Sequence, residues 1–335
     1  MILDGDVLVV RLPNWLGDTV MALPALAALR AARPDALVTA VGPWAPLLTG
    51  QAVADVLLKY PRDGRTRRKL AVAMRAMRPD AAVLLPNSFE SALAARRWGA
   101  RIRLGYDTDM RHALLTHMID LPSPRRHQVD EYTGLLEAAD IPAKTERPEW
   151  RLGEDPVVEA EVTTMLTGAG CGGAGSLIGL HLGAAFGSSK LWPPASYAEL
   201  TGQLTERGCE PLLIGGPEDL AMAEAVQALA GSRVASTVGR DRAHMLPRLL
   251  ARLGCLVCSD TGVAHLAAAL GVPTITLFGP TDPHLSAPRG PRARSIEGPA
   301  PCAPCFLPRC PIDHICMRAI SAASVAAAVD EARAA

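Results

Sequence analysis

Short apolar runs and stretches of helical periodicity alternate along nearly the whole chain. Residues 6–12, Asp-Val-Leu-Val-Val-Arg-Leu, form an apolar run of the length of a buried strand. Residues 13–18 read as a turn. From Asp18 to residue 32, Val20, Leu23, Leu26, Ala27 and Leu29 then fall mostly at helical spacing. Residues 37–41 make the next strand, which ends at Gly42 and Pro43. This is a βαβ unit, whose crossover is expected to be right-handed. The alternation continues through a strand at 82–85, a helix at 90–97 and a short strand at 101–104.

The glycine-rich stretch 168–175 interrupts this pattern, and a second series follows with strands at 177–182, 210–214, 255–258 and 274–278. The pattern predicts two doubly wound α/β domains. One covers 1–167 and the other 177–316, joined by a linker over 168–176, with a C-terminal helix in 317–335 that could pack back on the first domain. Ligands of such folds bind outside the carboxyl ends of the strands, here in a cleft faced by both domains. The unusual residues gather at those ends: 14–18, 183–190, 215–218, 259–262 and 279–282.

Composition narrows the class. The chain has 335 residues, 49% hydrophobic and 20% charged, which suits two globular domains and excludes wholesale disorder. Aromatics are only 4%, so Ala, Leu and Val must build the cores. The N-terminus carries Asp4 and Asp6 where a secretory signal has basic residues, and no apolar run reaches membrane-spanning length. A cytoplasmic protein is expected, and its eight cysteines do not suggest a disulfide scaffold. Net charge is zero, yet residues 62–126 hold 14 Lys and Arg against 6 Asp and Glu. The excess, densest at Arg62, Arg65, Arg67, Arg68 and Lys69, is either a solvated face or a surface for an anionic partner. Few aromatics and no reading motif argue against nucleic acid.

Several strand ends carry candidate chemistry. Asp260, Thr261, Gly262 and His265 open a helix whose unpaired N–H groups and partial positive charge suit a diphosphate. Simple capping by Asp260 or Thr261 is the competing account. Asp260 would repel a phosphate, so it suits sugar or ribose hydroxyls better. In the loop from Gly183 to Lys190, Ser188 and Ser189 offer donors and Lys190 a charge for a leaving diphosphate. A lysine on a flexible surface loop is the alternative. Glu218 could accept two ribose hydroxyls, or could merely favour a helix start. Gly17 and Asp18 end the first strand, where an acid could deprotonate an acceptor hydroxyl or cap a helix. Cys302, Cys305, Cys310 and Cys316, with His314 between, could hold a structural metal or be buried or redox-active thiols. Cys255 and Cys258 sit inside an apolar strand and read as core.

Together these segments resemble glycosyltransferase family 9, the lipopolysaccharide heptosyltransferases and their relatives. The likeness rests on Leu16-Gly17-Asp18 before Leu23-Pro24-Ala25-Leu26, on Lys190, Trp192 and Pro193, on Ser259 through Gly262 with His265, and on Gly279 through Pro283. Residues 85–93, Gly105, Tyr106 and Arg111 are similar to heptosyltransferase II in particular. The resemblance implies a GT-B fold of two Rossmann-like domains and inverting transfer from ADP-heptose; the lack of an Asp-x-Asp motif placed to hold a divalent ion against the diphosphate adds the expectation that no metal is required. The acceptor it implies is a lipid-anchored, anionic saccharide of the lipopolysaccharide inner core (Kdo and heptose on lipid A), met at the cytoplasmic face of the inner membrane. It makes Asp18 the base and Lys190 the phosphate contact, and assigns Glu218 to ribose. Gly183, Ser188, Ser189, Asp260, Thr261, Gly262 and His265 complete the donor site, while Asn14, Gly17, Asn87 and Ser88 fall on the acceptor side. Some relatives carry paired threonines where Ala185 and Phe186 stand here, which would leave phosphate contacts to backbone N–H groups or the two serines. A nucleotide-sugar 2-epimerase or a non-catalytic nucleotide-binding module would use the same fold.

Overall fold

The computed structural model describes residues 2–144, 147–172 and 177–334. The chain divides into two compact units, residues 1–149 and 150–335.

In the first unit the elements run β1 (Val7–Arg11), α1 (Leu16–Met21), α2 (Leu23–Ala32), β2 (Leu37–Gly42), β3 (Val56–Lys59), α3 (Gly64–Ala76) and β4 (Ala81–Leu84). They continue with α4 (Phe89–Trp98), β5 (Ile102–Tyr106), β6 (His117–Ile119) and α5 (Gln128–Glu137). All strand pairs are parallel, in the order β3-β2-β1-β4-β5-β6. The helix expected from Asp18 to residue 32 is two helices broken at Ala22. Pro24 explains the break, because a residue without an N–H cannot continue the hydrogen-bond ladder. One cluster of the core packs Val9, Val41, Ala82 and Leu84 of the sheet against Ala92, Ala95 and Trp98 of α4.

The second unit opens with α6 (Pro156–Ala169), β7 (Leu177–His181), α7 (Pro194–Glu206), β8 (Glu210–Ile214), α8 (Leu220–Leu229), β9 (Ala235–Ser236) and α9 (Leu246–Ala251). It ends with β10 (Cys255–Ser259), α10 (Gly262–Ala269), β11 (Thr274–Phe278), α11 (Pro283–Ser286), β12 (Ala293–Glu297), α12 (Ile315–Arg318) and α13 (Ala322–Ala334). Its parallel sheet has the order β12-β11-β10-β7-β8-β9. Counted from β7, that is again the 3-2-1-4-5-6 order of dinucleotide-binding folds. Order reverses between β1 and β4 in one sheet and between β7 and β10 in the other.

Two expected boundaries are corrected. The units divide at Glu149, not in the glycine-rich stretch, because α6 packs on α9 and its Glu159 pairs with Arg248 and Arg252. Gly168 lies inside α6 and Gly170 ends it, while residues 173–176 of the expected linker lie outside the described residues. The last helix packs on the second sheet, not the first domain. Val325, Ala326, Val329 and Ala332 are buried with Ile178, Leu180 and Val257, since a face of small residues lets α13 approach α7 and β10 closely. Cys255 and Cys258 are fully buried in β10, as expected of core thiols.

Candidate active site

In the second unit, β7 delivers the loop 183–190 and β10 delivers Asp260, at the sheet's switch point. Gly183 leaves room for Asp219: a Cβ there would lie 2.5 Å from its Oδ2 and push the carboxylate aside. Gly187 has φ of +154°, and a Cβ on it would meet the Pro308 carbonyl oxygen at 2.1 Å. That close approach lets Pro308 O accept from the Ser189 N–H at 3.2 Å. Trp192 is fully buried, donates from Nε1 to Ile320 O at 3.0 Å and meets Tyr197 edge-on, so it anchors the end of the loop.

Lys190 and Asp260 come together. Nζ donates to Asp260 Oδ2 at 2.5 Å and to Asp260 O at 3.1 Å, with both side chains at most 10% exposed. Thr281 Oγ1 donates to the same Oδ2 at 2.8 Å, and Lys190 Nζ lies 4.8 Å from the Phe186 ring centroid. Lys190 is therefore no loose surface lysine; its charge is buried and paired. Breaking such a pair by removing one partner typically costs about 3–5 kcal/mol.

Thr261 occupies the N-cap position of α10, yet its hydroxyl makes no capping bond. Asp260 lies one residue further out and faces Lys190 instead, so side-chain capping does not account for this segment. Gly262 is the first residue of α10, and His265 is buried one turn along. The Ser189 hydroxyl is buried without a hydrogen-bond partner among the described residues, whereas Ser188 is exposed. The uncapped start of α10 next to the Lys190 ammonium has the chemistry to receive an anion. Glu218 is exposed in the turn after β8, its carboxylate folded over Gly216. Nearby Asp241 is pushed up to about 6, mainly by burial and further by Asp219 and Glu218.

In the first unit, Asp18 sits in the first turn of α1, whose N-cap position is Trp15, so it is not the capping residue. Its Oδ1 accepts from Tyr132 Oη of α5 at 3.2 Å. Burial first, then the charge of Asp18, raises the Tyr132 phenol well above its ordinary range, which keeps it a protonated donor. Gly17 is buried beside Asp18. Asn14 Oδ1 accepts from Arg11 Nη2 at 2.8 Å. Asn87 Oδ1 accepts from Arg111 Nη2 at 3.2 Å, while Ser88 caps α4 through the Ser91 N–H. Asn14 and Asn87 thus follow the two strands of the switch point, β1 and β4, and each is gripped by a buried arginine.

Several residues escaped the sequence reading. Arg11 is 1% exposed, stacks 4.0 Å from the Tyr60 ring centroid and lies 4.0 Å from Glu90. A cation at the end of an otherwise apolar strand was the available signal. Tyr60 also bonds Glu90, and Arg67 joins both, at 3.5 Å from Glu90 and 5.0 Å from the ring. Arg125 grips the fully buried Glu131 with two bonds of 2.7 and 2.8 Å, beside Tyr132. Such partners lie far apart in sequence, so no local pattern announces them.

The four C-terminal cysteines do not assemble a metal site: among the described residues no three His, Cys, Asp or Glu side chains gather to hold an ion. Cys302 is exposed whereas Cys316 is buried, its sulfur 2.9 Å from where a Gly279 Cβ would stand. The segment instead packs on the loop after β11, with Cys305 N and Phe306 N bonding Pro280 O. No helix among the described residues is long and apolar enough to cross a membrane.

Comparison with known proteins agrees with this geometry. The model of glycosyltransferase family 9 (heptosyltransferase) matches residues 67–316. Lipopolysaccharide heptosyltransferase 2 of Escherichia coli is 31% identical over 304 residues, 85% of this chain and 86% of that one. The enzyme of that name from Salmonella typhimurium is 30% identical over the same shares. The structure of E. coli ADP-heptose lipopolysaccharide heptosyltransferase II is similar with a TM-score of 0.81 and 27% identity, covering 98% of this chain and 99% of that one. The chain belongs to glycosyltransferase family 9. It is a glycosyltransferase of the GT-B fold, as the resemblance implied.

Proposed function

We propose that this enzyme transfers heptose, with inversion, from ADP-L-glycero-D-manno-heptose to a heptose of the lipopolysaccharide inner core, in the manner of heptosyltransferase II. The observation that carries the reading is the buried Lys190 beside the uncapped start of α10, at the switch point of the second sheet. The donor diphosphate lies against the N–H groups of α10, with Lys190 Nζ offsetting the charge that builds as ADP leaves. Ser189 Oγ supplies a further donor, and Glu218 takes the ribose hydroxyls. Asp18 removes the proton of the acceptor hydroxyl, which bonds to the anomeric carbon as the bond to the diphosphate breaks. Tyr132 fixes one oxygen of Asp18 for that role. The ADP-heptose:lipopolysaccharide reading is tested by a transfer assay with purified protein, ADP-heptose and defined core acceptors. Heptosylated product supports it. Turnover of the nucleotide sugar without acceptor, or ADP binding without transfer, would replace it by an epimerase or a binding module.

The acceptor is lipid-anchored and anionic, and α3 is the surface suited to it. Arg65, Arg68, Lys69, Val72 and Arg75 are exposed along one helical face, with Val72 73% exposed. Arg67 is turned away to Glu90 and Tyr60, so it does not belong to this face. Each basic residue near an anionic leaflet contributes about 1 kcal/mol, screened by salt over roughly 8–10 Å. The enzyme should sediment with anionic liposomes at low salt and release at high salt. Replacing Arg65, Arg68 and Lys69 by Ser should abolish that binding, whereas equal binding to neutral liposomes returns the patch to a solvated face.

A further inference from the structure

Phe186 is an exposed aromatic on a loop otherwise made of small residues. It is 40% exposed, and its neighbours Gly183, Ala184, Ala185, Gly187, Ser188 and Ser189 carry no bulky side chain. The ring offers no hydroxyl to a phosphate, so a donor-binding role must come from its face. That face meets Lys190: Nζ stands 4.8 Å from the ring centroid, well inside the ~6 Å range of cation–π attraction. Nζ also donates to Asp260 Oδ2 and O at 2.5 and 3.1 Å, and that carboxylate is itself held by Thr281. The ammonium is thereby fixed by a carboxylate on one part of its surface and a ring on another, with its side chain only 10% exposed.

We propose that Phe186 is a positioning residue of the donor site, its ring covering the Lys190 ammonium against water and holding it where the leaving diphosphate gathers charge. This rests on the role given to Lys190 above. A cation kept dry by an aromatic face acts on a developing negative charge more strongly than one in water, because less solvent intervenes. Phe186 also adds hold without adding charge. A second carboxylate would repel the diphosphate, whereas a quadrupole attracts the cation and leaves the site's net charge unchanged. Gly187 belongs to the same device. Its φ of +154° and its contact with Pro308 set the backbone between the ring and the lysine, so the spacing from Phe186 to Lys190 is fixed by the loop.

The test varies the ring's π-face at constant shape. Phe186 is replaced by 4-fluoro-, 3,5-difluoro- and 3,4,5-trifluorophenylalanine, and by Leu and Tyr, and kcat and KM for the nucleotide sugar are measured. Because the residue is exposed on a loop, each variant should fold, which circular dichroism checks. The expected result is a stepwise fall in kcat/KM with fluorination, reaching about fivefold for the trifluoro ring and for Phe186→Leu, mostly in kcat, while Phe186→Tyr stays within about twofold. In a Lys190→Met background the fluorine series should go flat. A flat series in the wild-type background overturns the proposal and leaves the ring as packing. If Lys190→Met itself changes neither rate nor ADP affinity, the role of Lys190 falls first, a distinguishable failure.

Discussion

The two units share one sheet order, and each places its chemistry where that order reverses, yet they secure it by different means. In the first, buried arginines grip the loops: Arg11 holds Asn14, and Arg111 holds Asn87, Pro86 and Tyr106 through their oxygens. The acid, Asp18, stays partly exposed on the following helix, braced by a phenol. In the second, the charge buried in the loop is a lysine, and an acid following the neighbouring strand holds it. The loop around it is strapped by backbone from the C-terminal segment, at Pro308. In both units the cations at the switch point are buried, Arg11 and Arg111 in one and Lys190 in the other, whereas Asp18 is partly exposed. On the proposed roles, the unit that meets the diphosphate uses its buried cation, and the one that takes a proton keeps its carboxylate partly exposed.

The sharpest way to break this contrast is at the ion pair. Lys190→Met should lower kcat/KM by about 10²–10³-fold and weaken ADP binding. Adding Asp260→Asn should restore part of the ADP affinity, since a lone carboxylate repels the diphosphate, and binding calorimetry on the four-member cycle reads that coupling. Additive losses would mean that the pair does not act as a unit. The first unit should answer differently, by loss of structure. Arg111 donates at 2.8 Å to Tyr106 O and at 3.1 Å to Ser91 Oγ, and burial lowers its pKa to about 10. Arg111→Met strands those acceptors and should cost about 3 kcal/mol, read as earlier urea unfolding with ADP affinity kept. The smallest effect concerns Asp241. Its folded pKa of about 6 lies above the ordinary ~3.9 of an aspartate, so the folded state binds its proton more tightly. That contribution to stability is present at low pH and lost as pH rises through about 6. Asp241→Asn should therefore raise the melting temperature at pH 8, with a gain that fades as pH falls toward 4. A pH-independent difference would remove the carboxyl's ionisation from the account.

How far the sequence was legible follows the same contrast. The strands read from apolar runs are β1, β2, β4, β5, β7, β8, β10 and β11, which fill the interiors of both sheets. The four that escaped, β3, β6, β9 and β12, are the sheet edges. An edge strand has no neighbour on one side and is less buried, as β12 shows with three of five residues exposed, so its apolar run is short or absent; β3 has only Val56, Leu57 and Leu58. At the site, Asp18, Lys190 and Asp260 stood out as candidates because they lie in the segments that follow β1, β7 and β10, although Asp18 falls in the first turn of α1 and not at the strand end expected. Their partners did not: Tyr132 lies 114 residues from Asp18, and Thr281 reaches Asp260 from the loop after β11. The domain boundary misled because a glycine run looks like a linker, although the arginines that bind Glu159 tie α6 to the unit after it.

The central claim is a division of labour, with the proton taken by the first unit and the donor held by the second. It is tested most directly by measuring turnover and ADP affinity together for Asp18→Asn, which keeps the shape and removes the basic oxygen. The account predicts that kcat falls by at least about 10²-fold while the Kd for ADP stays within about twofold. Near-wild-type turnover, or an equal loss of ADP affinity, would contradict it.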